Sequence, residues 1–595
     1  MTEKGLTELK NLLIGDRIFK IPEYQRYYAW EKQQLEDLWS DMIHLKPGRK
    51  HYFGTLLLRK TGDQRKLAAK NFDVYEIIDG QQRMVTVIIL LKQIISQFKK
   101  SNDDELKEDS KRLEEDYIKY RDVYKLELLG DDGEFFKKKI IDNDSRFQGD
   151  FQTPSQQKLE EANKLFEKKI KNFINDHNGN MYESIVKLKD KIDNIQIIRY
   201  EVEDNADAVL IFETVNDRGR PLTDLEKTKS FLMHMIYLSV SNDEKDQIDD
   251  LLNSANVSFS RMFKYFEQIS RSDRGKKLVN LTEDAIQRYH LIIYQKADKI
   301  KNSPLSLVKE EVMDLYDNNQ NEKCLKYVKD YYPDLETTFR TLQIICTYNQ
   351  SNQIRDLLNK IFTLQKGTAN FLPLLIAAWR KFEGDEKKIL ETLKFVEIAI
   401  FRVYSIGKRR VDTARNILQK LAYSIDKEDI SNQKVEAEIK DFVNKLQDNT
   451  EFTANLKLQK FYQKIDIKYI KYLLYEYENH LNQSQEGLRI NLEDIMKDST
   501  AIDHIWAQEP SKLQLTSDLS KRHEEYKHKL GNLTLASHRW NSEWGNKPFE
   551  IKRENYKNSA FRTQRELSNQ AQWGTSEIET RENKIIEFAL QRWKI

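Results

Sequence analysis

The chain has 595 residues, which is more than one ordinary hydrophobic core accommodates, and this length predicts two to four domains. Charged residues make up 33% and hydrophobic residues 39%, with only 9 prolines and 19 glycines, so the composition predicts a mostly helical protein. The net charge of +2 excludes a globally basic nucleic-acid binder, and any such surface must be local.

The cysteine content and the apolar runs indicate the compartment. Cys324 and Cys346 lie far apart and outside any CxxC pattern, which argues against a disulfide framework or a structural zinc site. The amino terminus lacks the apolar stretch of a signal peptide, and the longest apolar run, residues 371–379, is too short to cross a bilayer. We therefore expect a soluble protein of the reducing cytoplasm with no membrane partner.

The first part of the chain mixes short strands with helices. Residues 52–58 (YFGTLLL), 74–78 (VYEII) and 195–202 (IQIIRYEV) are β-rich runs bounded by turn-forming or charged residues, and each predicts a strand. Between them, residues 99–122 are dense in Lys, Glu and Asp. This composition predicts a solvated helix or an exposed insertion.

The DGQQR motif follows the second of these strands. The strand ends at Asp79, Gly80 permits a tight turn, and Gln81, Gln82 and Arg83 open an apolar helix. This arrangement directs backbone N–H groups, two amides and a guanidinium at one point, which suits a phosphate or a nucleotide. The acid at the strand end could hold a metal ion or position a water. An ordinary strand-to-helix turn with a solvated arginine fits the motif equally well.

Polar and basic side chains recur in two further segments. In residues 21–30 (IPEYQRYYAW) they lie among aromatic residues. In residues 213–227 (ETVNDRGRPLTDLEK) they lie in a loop that leads to a predicted capping box of Thr223 and Glu226. The side chains concerned are Gln25, Arg26, Asn216, Arg218 and Arg220.

In this order, IPEYQR, DGQQR and F-E-x-x-N-x-R-G-x-x-L resemble the ParB-like domain at the front of GmrSD-type modification-dependent restriction enzymes and related phage-defence proteins. The resemblance covers about residues 1–235. It implies an α/β domain that binds and hydrolyses a nucleoside triphosphate (GTP, CTP, UTP or ATP), with Asp79 taking part in hydrolysis. The residues implied at the nucleotide are Gln25, Arg26, Asp79, Gly80, Gln81, Gln82 and Arg83. Many relatives have proline where this chain has Tyr27, a change that affects loop stiffness more than chemistry.

From about 225 to about 479 the sequence has a nearly continuous helical pattern without a repeat of fixed period. This block predicts a helical connector. Within it, GKRRVDTAR (407–415) brings four basic residues together, which suits either a phosphate contact or a solvated helix terminus.

The carboxyl-terminal part has the residue order of a ββα-metal (HNH) nuclease. Asp503 and His504 come first, LGNLTL with Asn532 follows, and a predicted helix then carries Asn541. In such a site the first strand supplies a metal-binding acid and a general-base histidine, and the helix supplies the last ligand. Phosphodiester hydrolysis needs that base and a divalent cation to hold the phosphoryl oxygens.

The residue types match these roles, and we predict all four as catalytic. Asp503 and Asn541 offer hard oxygen ligands for Mg²⁺ or Mn²⁺, and His504 can be a neutral base near pH 7. Asn532 is expected to tie the loop to the strand and so fix the direction of His504. Asn546 lies five residues after Asn541, about 140° around a helix, so at most one of the two faces the metal. We assign Asn541, because glycine and proline weaken the helix beyond it.

Residues 503–593 also resemble the carboxyl-terminal HNH family that pairs with DGQQR domains. Two departures occur: Trp506-Ala507 replaces the common aliphatic-Pro pair, and Asp503 replaces the commoner Glu, which keeps a carboxylate. The matching residues are His504, Gln508, Asn532, Asn541, Lys547, Phe549, Lys552, Tyr556, Ser559, Arg581 and Trp593. A local basic run nearby predicts DNA phosphate contacts by Lys552, Arg553 and Lys557.

These observations predict an α+β, mostly helical protein: a ParB-like α/β nucleotide domain (1–235), a helical connector (236–485) and a ββα-metal HNH endonuclease domain (486–595). The predicted function is phage defence by cleavage of foreign, modified double-stranded DNA, regulated by nucleoside-triphosphate hydrolysis. We also consider a homodimer. The alternative is a nucleotide-switched DNA-binding clamp whose HNH fold is structural.

Overall fold

The computed structural model describes most of the chain. It divides into two compact units, one formed by Met1–Glu267 with Asn302–Phe339 and the other by Gln268–Lys301 with Arg340–Ile595. Because both units are built from discontinuous stretches, the predicted boundaries at 235/236 and 485/486 stay predictions. The described residues are 3–21, 27–44, 51–100, 104–128, 130–144, 151, 153–176, 181–202, 223–240, 245–295, 303–428, 430–482, 490–509 and 517–595.

The strands belong mainly to the first unit. They are, in chain order, β1 (Glu3–Glu8), β2 (Arg17–Ile21), β3 (His51–Leu67), β4 (Lys70–Asp79), β5 (Lys119–Tyr120), β6 (Val123–Tyr124), β7 (Leu126–Leu128), β8 (Ile195–Val202), β9 (Thr500–His504) and β10 (Leu533–Ser537). Six of them form one mixed sheet in the order β1-β8-β3-β4-β2-β7. The three strands predicted from sequence are confirmed as parts of β3, β4 and β8.

Helices make up most of the remainder. They are α1 (Leu9–Leu13), α2 (Lys32–Ile43), α3 (Gln81–Lys99), α4 (Asp104–Tyr117), α5 (Asp131–Phe135), α6 (Pro154–Asp176), α7 (Met181–Asp193), α8 (Asp224–Ser239), α9 (Lys245–Arg271), α10 (Asp273–Lys276), α11 (Glu283–Tyr294), α12 (Pro304–Asp317), α13 (Asn321–Thr347), α14 (Asn352–Leu364), α15 (Thr368–Lys381), α16 (Glu386–Ala399), α17 (Arg415–Lys427), α18 (Asn432–Leu446), α19 (Asn449–Leu456), α20 (Phe461–Lys464), α21 (Ile467–Asn482), α22 (Leu492–Met496), α23 (Ser517–Tyr526), α24 (His538–Trp544), α25 (Phe549–Tyr556), α26 (Arg562–Leu567) and α27 (Thr575–Arg592). Two π-helical turns, Phe136–Ile141 and Ile400–Ile406, and a 3₁₀ turn, Leu530–Asn532, complete the set. The protein is thus a mostly helical α+β structure with a small mixed sheet, as predicted.

The core of the first unit lies between the sheet and helix α3. Nearly every side chain of α3 from Met84 to Phe98 is buried, as expected for a helix that is apolar all round. It packs against α4, α6 and α7. In strand β3, Leu56 and Leu58 join this core, whereas Leu57 belongs to a separate cluster, because successive strand residues point to opposite faces.

Two local predictions in this unit are confirmed. The charged stretch between residues 99 and 122 forms α4, which buries Leu106, Leu113 and Tyr117 and leaves most charged side chains exposed or half-buried. Helix α8 starts with a capping box: Thr223 Oγ1 accepts from Glu226 N at 3.2 Å, and Glu226 Oε2 accepts from Thr223 N at 2.8 Å. Beyond it, in both units, the described residues up to about 479 contain helices joined by turns and short loops and no strand, as predicted.

The second unit carries the hairpin that the sequence predicts. Strands β9 and β10 pair antiparallel, with His504 opposite Leu533 and Asp503 opposite Thr534. Helix α24 follows β10 directly and contacts both strands. Cys324 of the first unit and Cys346 of the second are both buried and form no disulfide.

Candidate functional sites

The DGQQR motif lies where strand β4 meets helix α3, as expected. Gly80 is the N-cap of α3, with a φ of 91°, and a Cβ at this position would lie only 2.8 Å from Leu56 Cδ1. A side chain is therefore excluded on both conformational and steric grounds. The first turn of α3 consequently directs its free backbone N–H groups toward the end of the strand.

Arg83 is held in place by two acceptors. Its guanidinium donates to Phe53 O at 3.2 Å and to Asp79 Oδ2 at 3.3 Å. Gly54, with a φ of 95°, leaves the space for it, since a Cβ there would lie 1.9 Å from Arg83 Nη1. The cation is therefore fixed beside the first turn of α3, where an anion would also find the helix N–H groups.

The two glutamines of the motif do different things. Gln82 holds the segment that follows the first motif, because its Oε1 accepts from Ala29 N at 2.7 Å and its Nε2 donates to Tyr27 O at 3.1 Å. The side-chain Oε1 of Gln81 is buried and, among the described residues, has no hydrogen-bond partner. Gln81 is thus available to a ligand, whereas both polar atoms of the Gln82 amide are already used.

A second carboxylate lies near Asp79. Burial raises the pKa of Asp79, Glu226 of α8 acts in the same direction, and Arg83 opposes both. The start of α8 therefore lies close enough to the DGQQR turn for its capping-box glutamate to act on Asp79. The other predicted residues of this site, Gln25, Arg26, Asn216, Arg218 and Arg220, lie outside the described residues.

In the second unit, Asp503 is buried and fully engaged. Its side chain is 3% exposed, Oδ1 accepts from Lys552 Nζ at 2.7 Å, and Oδ2 accepts from the Tyr556 hydroxyl at 2.9 Å. Lys552 Nζ also donates to His504 O at 2.7 Å. Burial and the Asp503 carboxylate hold the pKa of Tyr556 well above its ordinary value, so the hydroxyl stays a donor.

His504 lies on the opposite face of strand β9 and is also buried. Its Nδ1 is 2.8 Å from Gln508 Nε2, and its Nε2 is 3.2 Å from His528 Nδ1. The ring of Tyr462 lies against it, with the ring centroids 4.5 Å apart. Burial, followed by the neighbouring His528, lowers the pKa of His504 to about 3, so the imidazole is neutral at neutral pH.

Asn532 fixes the loop that follows strand β9. The side chain is completely buried, and its Oδ1 accepts from Trp506 N at 2.7 Å and from Trp573 Nε1 at 3.0 Å. Its Nδ2 donates to Trp506 O and Lys527 O, each at 2.9 Å. Asn532 therefore holds the backbone of Trp506, in the loop that follows His504.

The helical asparagines occupy different places. Asn541 lies in α24, half-buried, and its side chain has no hydrogen-bond partner within the described part of the chain. The helix ends at Trp544, as expected from the glycine and proline that follow. Asn546, which we did not assign, accepts from Glu509 N at 3.2 Å and so lies beside the loop that leads from His504.

The predicted metal ligands do not fit a divalent cation as they lie. Both Asp503 oxygens already accept hydrogen bonds. The Lys552 ammonium, 2.7 Å from Asp503 Oδ1, would also repel a metal cation at this carboxylate. No group of three or more His, Cys, Asp or Glu within the described ranges is arranged to hold a metal ion. The Asp503 carboxylate would have to leave Lys552 before it could coordinate a metal.

The predicted DNA contacts need one correction. Lys552 is completely buried against Asp503, so it is not a surface contact for phosphate. Arg553 donates to the carbonyls of Gln570 and Ala571 at 3.3 and 3.2 Å, and Lys557 pairs with Glu554. The basic run is thus partly used within the chain, which a count of charges along the sequence does not reveal.

Comparison with known families identifies the class of protein. The model described as "GmrSD restriction endonuclease, N-terminal domain" matches residues 9–233, and the model described as "GmrSD restriction endonucleases, C-terminal domain" matches residues 446–588. No curated protein matches the chain. Both models describe nucleases of the restriction class, and together they cover more than half of the chain.

The chain belongs to the GmrSD restriction endonuclease family, as the ordered motifs predict. Membership in this family supports a DNA endonuclease that acts in phage defence, with DNA as its substrate. Within the described part of the chain, no helix has both the length and the apolar character needed to span a bilayer.

Proposed function

We propose that the carboxyl-terminal region cleaves DNA at an HNH-type site in which His504 is the general base. The observation that carries this proposal is the position of the His504 ring: its Nδ1 meets Gln508, a half-exposed side chain at the edge of the loop, while its Nε2 is held by His528. A neutral imidazole can accept a proton from water at neutral pH, as hydrolysis requires.

In this reaction His504 takes the proton of the attacking water. The water oxygen bonds to phosphorus, the bond from phosphorus to the leaving oxygen breaks, and the leaving oxygen takes a proton from solvent. The side chain of Asn532 keeps the loop after His504 in position, through both backbone polar groups of Trp506. A base held in this way needs little reorganisation when DNA binds.

A divalent cation, Mg²⁺ or Mn²⁺, is proposed on the family resemblance. When bound, such a cation would offset the charge that develops on the phosphoryl oxygens. The engaged carboxylate of Asp503 does not support this part of the proposal, whereas the half-exposed amide of Asn541 is available. Cleavage assays with Mg²⁺, with Mn²⁺ and with a chelator test the requirement.

The amino-terminal region is proposed to bind and hydrolyse a nucleoside triphosphate at the DGQQR turn. Three features support this: the first-turn N–H groups of α3, the Arg83 guanidinium that Phe53 and Asp79 hold beside them, and the unpartnered Oε1 of Gln81. The N–H groups and Arg83 suit the phosphates, and Gln81 suits a polar group of the nucleoside. Asp79 can orient the attacking water.

We further propose that nucleotide turnover regulates cleavage and that the preferred substrate is modified phage DNA. Both points rest on the resemblance to modification-dependent enzymes. Digestion of matched modified and unmodified phage DNA, with and without each of the four nucleoside triphosphates, tests them together.

The decisive experiment compares His504→Ala and His504→Gln with His538→Ala. His538 is exposed on the neighbouring helix α24, so it controls for the loss of a histidine close to the site. We expect the His504 variants to lose about two to four orders of magnitude in plasmid nicking and the control to keep it, while nucleotide hydrolysis is unchanged in all three. Undiminished nicking by both His504 variants would exclude the assignment.

The second candidate is a nucleotide-switched DNA-binding clamp with a structural HNH fold. The engaged Asp503 carboxylate favours it, because a site without a free metal-binding acid is poorly suited to phosphodiester hydrolysis. A wild-type protein that binds DNA and hydrolyses nucleotide, but nicks no DNA with either cation, would support the clamp.

A further inference from the structure

His504 and three neighbouring side chains form a continuous hydrogen-bonded row. Gln508 Nε2 is 2.8 Å from His504 Nδ1, His504 Nε2 is 3.2 Å from His528 Nδ1, and His528 Nε2 is 2.9 Å from Gln463 Nε2. Gln463 belongs to the short helix α20. The preceding residue of the same helix, Tyr462, donates its backbone N–H to His528 O at 3.0 Å. The Tyr462 ring contacts both imidazoles.

Two neutral imidazoles in such a row restrict the protons to one of two directions. Each ring carries one N–H, and a single hydrogen lies between the two facing nitrogens. One terminal amide must therefore donate its N–H, and the other must accept through its oxygen. The row is directional, and the direction decides which nitrogen of His504 has the free lone pair.

The surroundings of His504 indicate which nitrogen can react. Its Nε2 is covered by the ring of His528, which is 6% exposed and fixed by Gln463 and by the backbone of Tyr462. Its Nδ1 is paired with the end of the half-exposed Gln508 side chain. A water can take the place of that amide, whereas the ring of His528 cannot move aside without disrupting the packing around it.

We propose that His528 and Gln463 are positioning residues that set the tautomer of His504. In this arrangement the exposed Gln463 amide is turned over, so that Oε1 takes the place of Nε2 and accepts from His528 Nε2–H, and His528 Nδ1 accepts from His504 Nε2–H. The Nδ1 lone pair of His504 then faces Gln508 and the incoming water. This inference rests on the proposed role of His504 as the base.

The row also helps His504 once it has taken a proton. His504 is buried, so an imidazolium at this position needs a hydrogen-bond acceptor to stabilise its charge. When Nδ1 gains its proton, the bond from Nε2–H to His528 becomes charge-assisted and strengthens. An acceptor at Nε2 therefore stabilises the protonated form that follows proton transfer.

Variants of Gln463 can reverse the direction of the hydrogen bonds in the row without changing the fold. The Gln463 side chain is exposed, so replacements there do not disturb the core. Gln463→Glu can only accept, and Gln463→Lys can only donate. We expect Gln463→Glu to keep the kcat of plasmid nicking, and Gln463→Lys to lower it by about two orders of magnitude or more with KM unchanged or reduced. The added positive charge itself favours DNA binding, so the fall in kcat runs against the simple electrostatic effect.

One control and two variants of His528 complete the kinetic comparison. Lys464→Glu changes the charge at the next exposed position without touching the row, and we expect it to alter KM only. His528→Phe, which keeps a ring but offers no acceptor, should lower kcat as Gln463→Lys does, and His528→Gln should restore part of the loss. Equal kcat for Gln463→Glu and Gln463→Lys would overturn the inference.

The tautomer can also be observed without any nuclease assay. Nitrogen NMR of full-length protein with ¹⁵N-labelled histidine distinguishes protonated from unprotonated ring nitrogens, and the His504 signals are assigned by their loss in His504→Gln. We expect Nε2–H in the wild type and Nδ1–H in Gln463→Lys. An Nδ1–H tautomer in the wild type overturns this inference even if His504→Ala abolishes cleavage. Unimpaired cleavage by His504→Ala would instead overturn the proposed function.

Discussion

Lys552 and Asp503 form a buried ion pair, with Lys552 Nζ 2.7 Å from Asp503 Oδ1 and both side chains almost completely excluded from solvent. Tyr556 donates to the second oxygen of the same carboxylate. Lys552 and Tyr556 lie four residues apart on helix α25, so one face of this helix neutralises and orients the acid of strand β9. The helix thereby joins the strand that carries His504 to the carboxyl-terminal region.

Removing the cation from this pair should destabilise the second unit strongly. We expect Lys552→Met to lower the free energy of unfolding by about 3 to 5 kcal/mol, because it leaves a buried carboxylate without a counter-charge. Urea unfolding followed by tryptophan fluorescence measures the change. Lys557→Met on the same segment, where the side chain is 52% exposed, should cost less than about 1 kcal/mol. In the Lys552→Met background, Asp503→Asn should recover part of the loss, and no recovery would show that charge burial is not the cause.

Acid should weaken the second unit in a range set by His504. Its pKa is lowered from 6.5 to about 3 by burial, so at acid pH the unfolded chain binds a proton that the folded chain does not. Above pH 6.5, the pKa of the unfolded chain, His504 is neutral in both states and the free energy of unfolding is at its full value. As the pH falls from about 6.5 toward about 3, the free energy of unfolding decreases by up to about 1.4 kcal/mol per pH unit. The pKa of His528 is also lowered by burial, which adds a loss of the same sign.

Thermal unfolding at about pH 7 and about pH 5 tests this dependence. We expect the melting temperature of the wild type to fall between the two conditions, and His504→Gln to show a smaller fall because it has no ring to protonate. His538→Gln, at an exposed position, should behave like the wild type. The same pH dependence in all three proteins would contradict the assignment to His504.

The sequence predicted the local elements because their patterns are local. The β-rich runs, the turn at Gly80, the helix that begins at Gln81 and the capping box at Thr223 all depend on neighbouring residues, and the structure contains each of them. The order Asp503-His504, then LGNLTL, then a helix likewise predicted the β9 and β10 hairpin and helix α24.

The long-range contacts of the site could not be predicted in this way. Asp503 and Lys552 are 49 residues apart, His504 and His528 are 24 apart, and His528 and Gln463 are 65 apart. Periodicity reports which residues share a face of one element but not which elements meet. The sequence does contain one indication of the contact to Asp503, which is the spacing of Lys552 and Tyr556. Residues four apart on a helix lie on one face and can share one partner.

A pair of glycine substitutions in strand β3 tests the nucleotide site. Gly54 and Gly62 both have a positive φ, 95° and 81°, so alanine strains the backbone at both. Only at Gly54 would the new Cβ collide with the Arg83 guanidinium; at Gly62 it meets nothing within 4 Å. We expect Gly54→Ala and Arg83→Ala both to lower triphosphate hydrolysis, whereas Gly62→Ala should keep the parent rate. Phosphate release assays measure the hydrolysis rates of both variants. Equal rates for the two glycine variants would show that Arg83 takes no part in nucleotide hydrolysis.

The last prediction concerns communication between the two activities. A nucleotide can change DNA cleavage only if it binds the cleaving and non-cleaving states with different affinity, so membership of one chain does not by itself establish coupling. We expect a suitable triphosphate to change the nicking rate of the full chain severalfold, in either direction, which corresponds to a coupling free energy of about 1 kcal/mol. Arg83→Ala should erase this change and leave the basal rate unaltered, because Arg83 belongs to the nucleotide site and not to the nuclease. Gly62→Ala provides the matched control and should respond to nucleotide as the wild type does. If the wild type cleaves its preferred DNA equally fast with and without GTP, CTP, UTP or ATP, the two sites act independently.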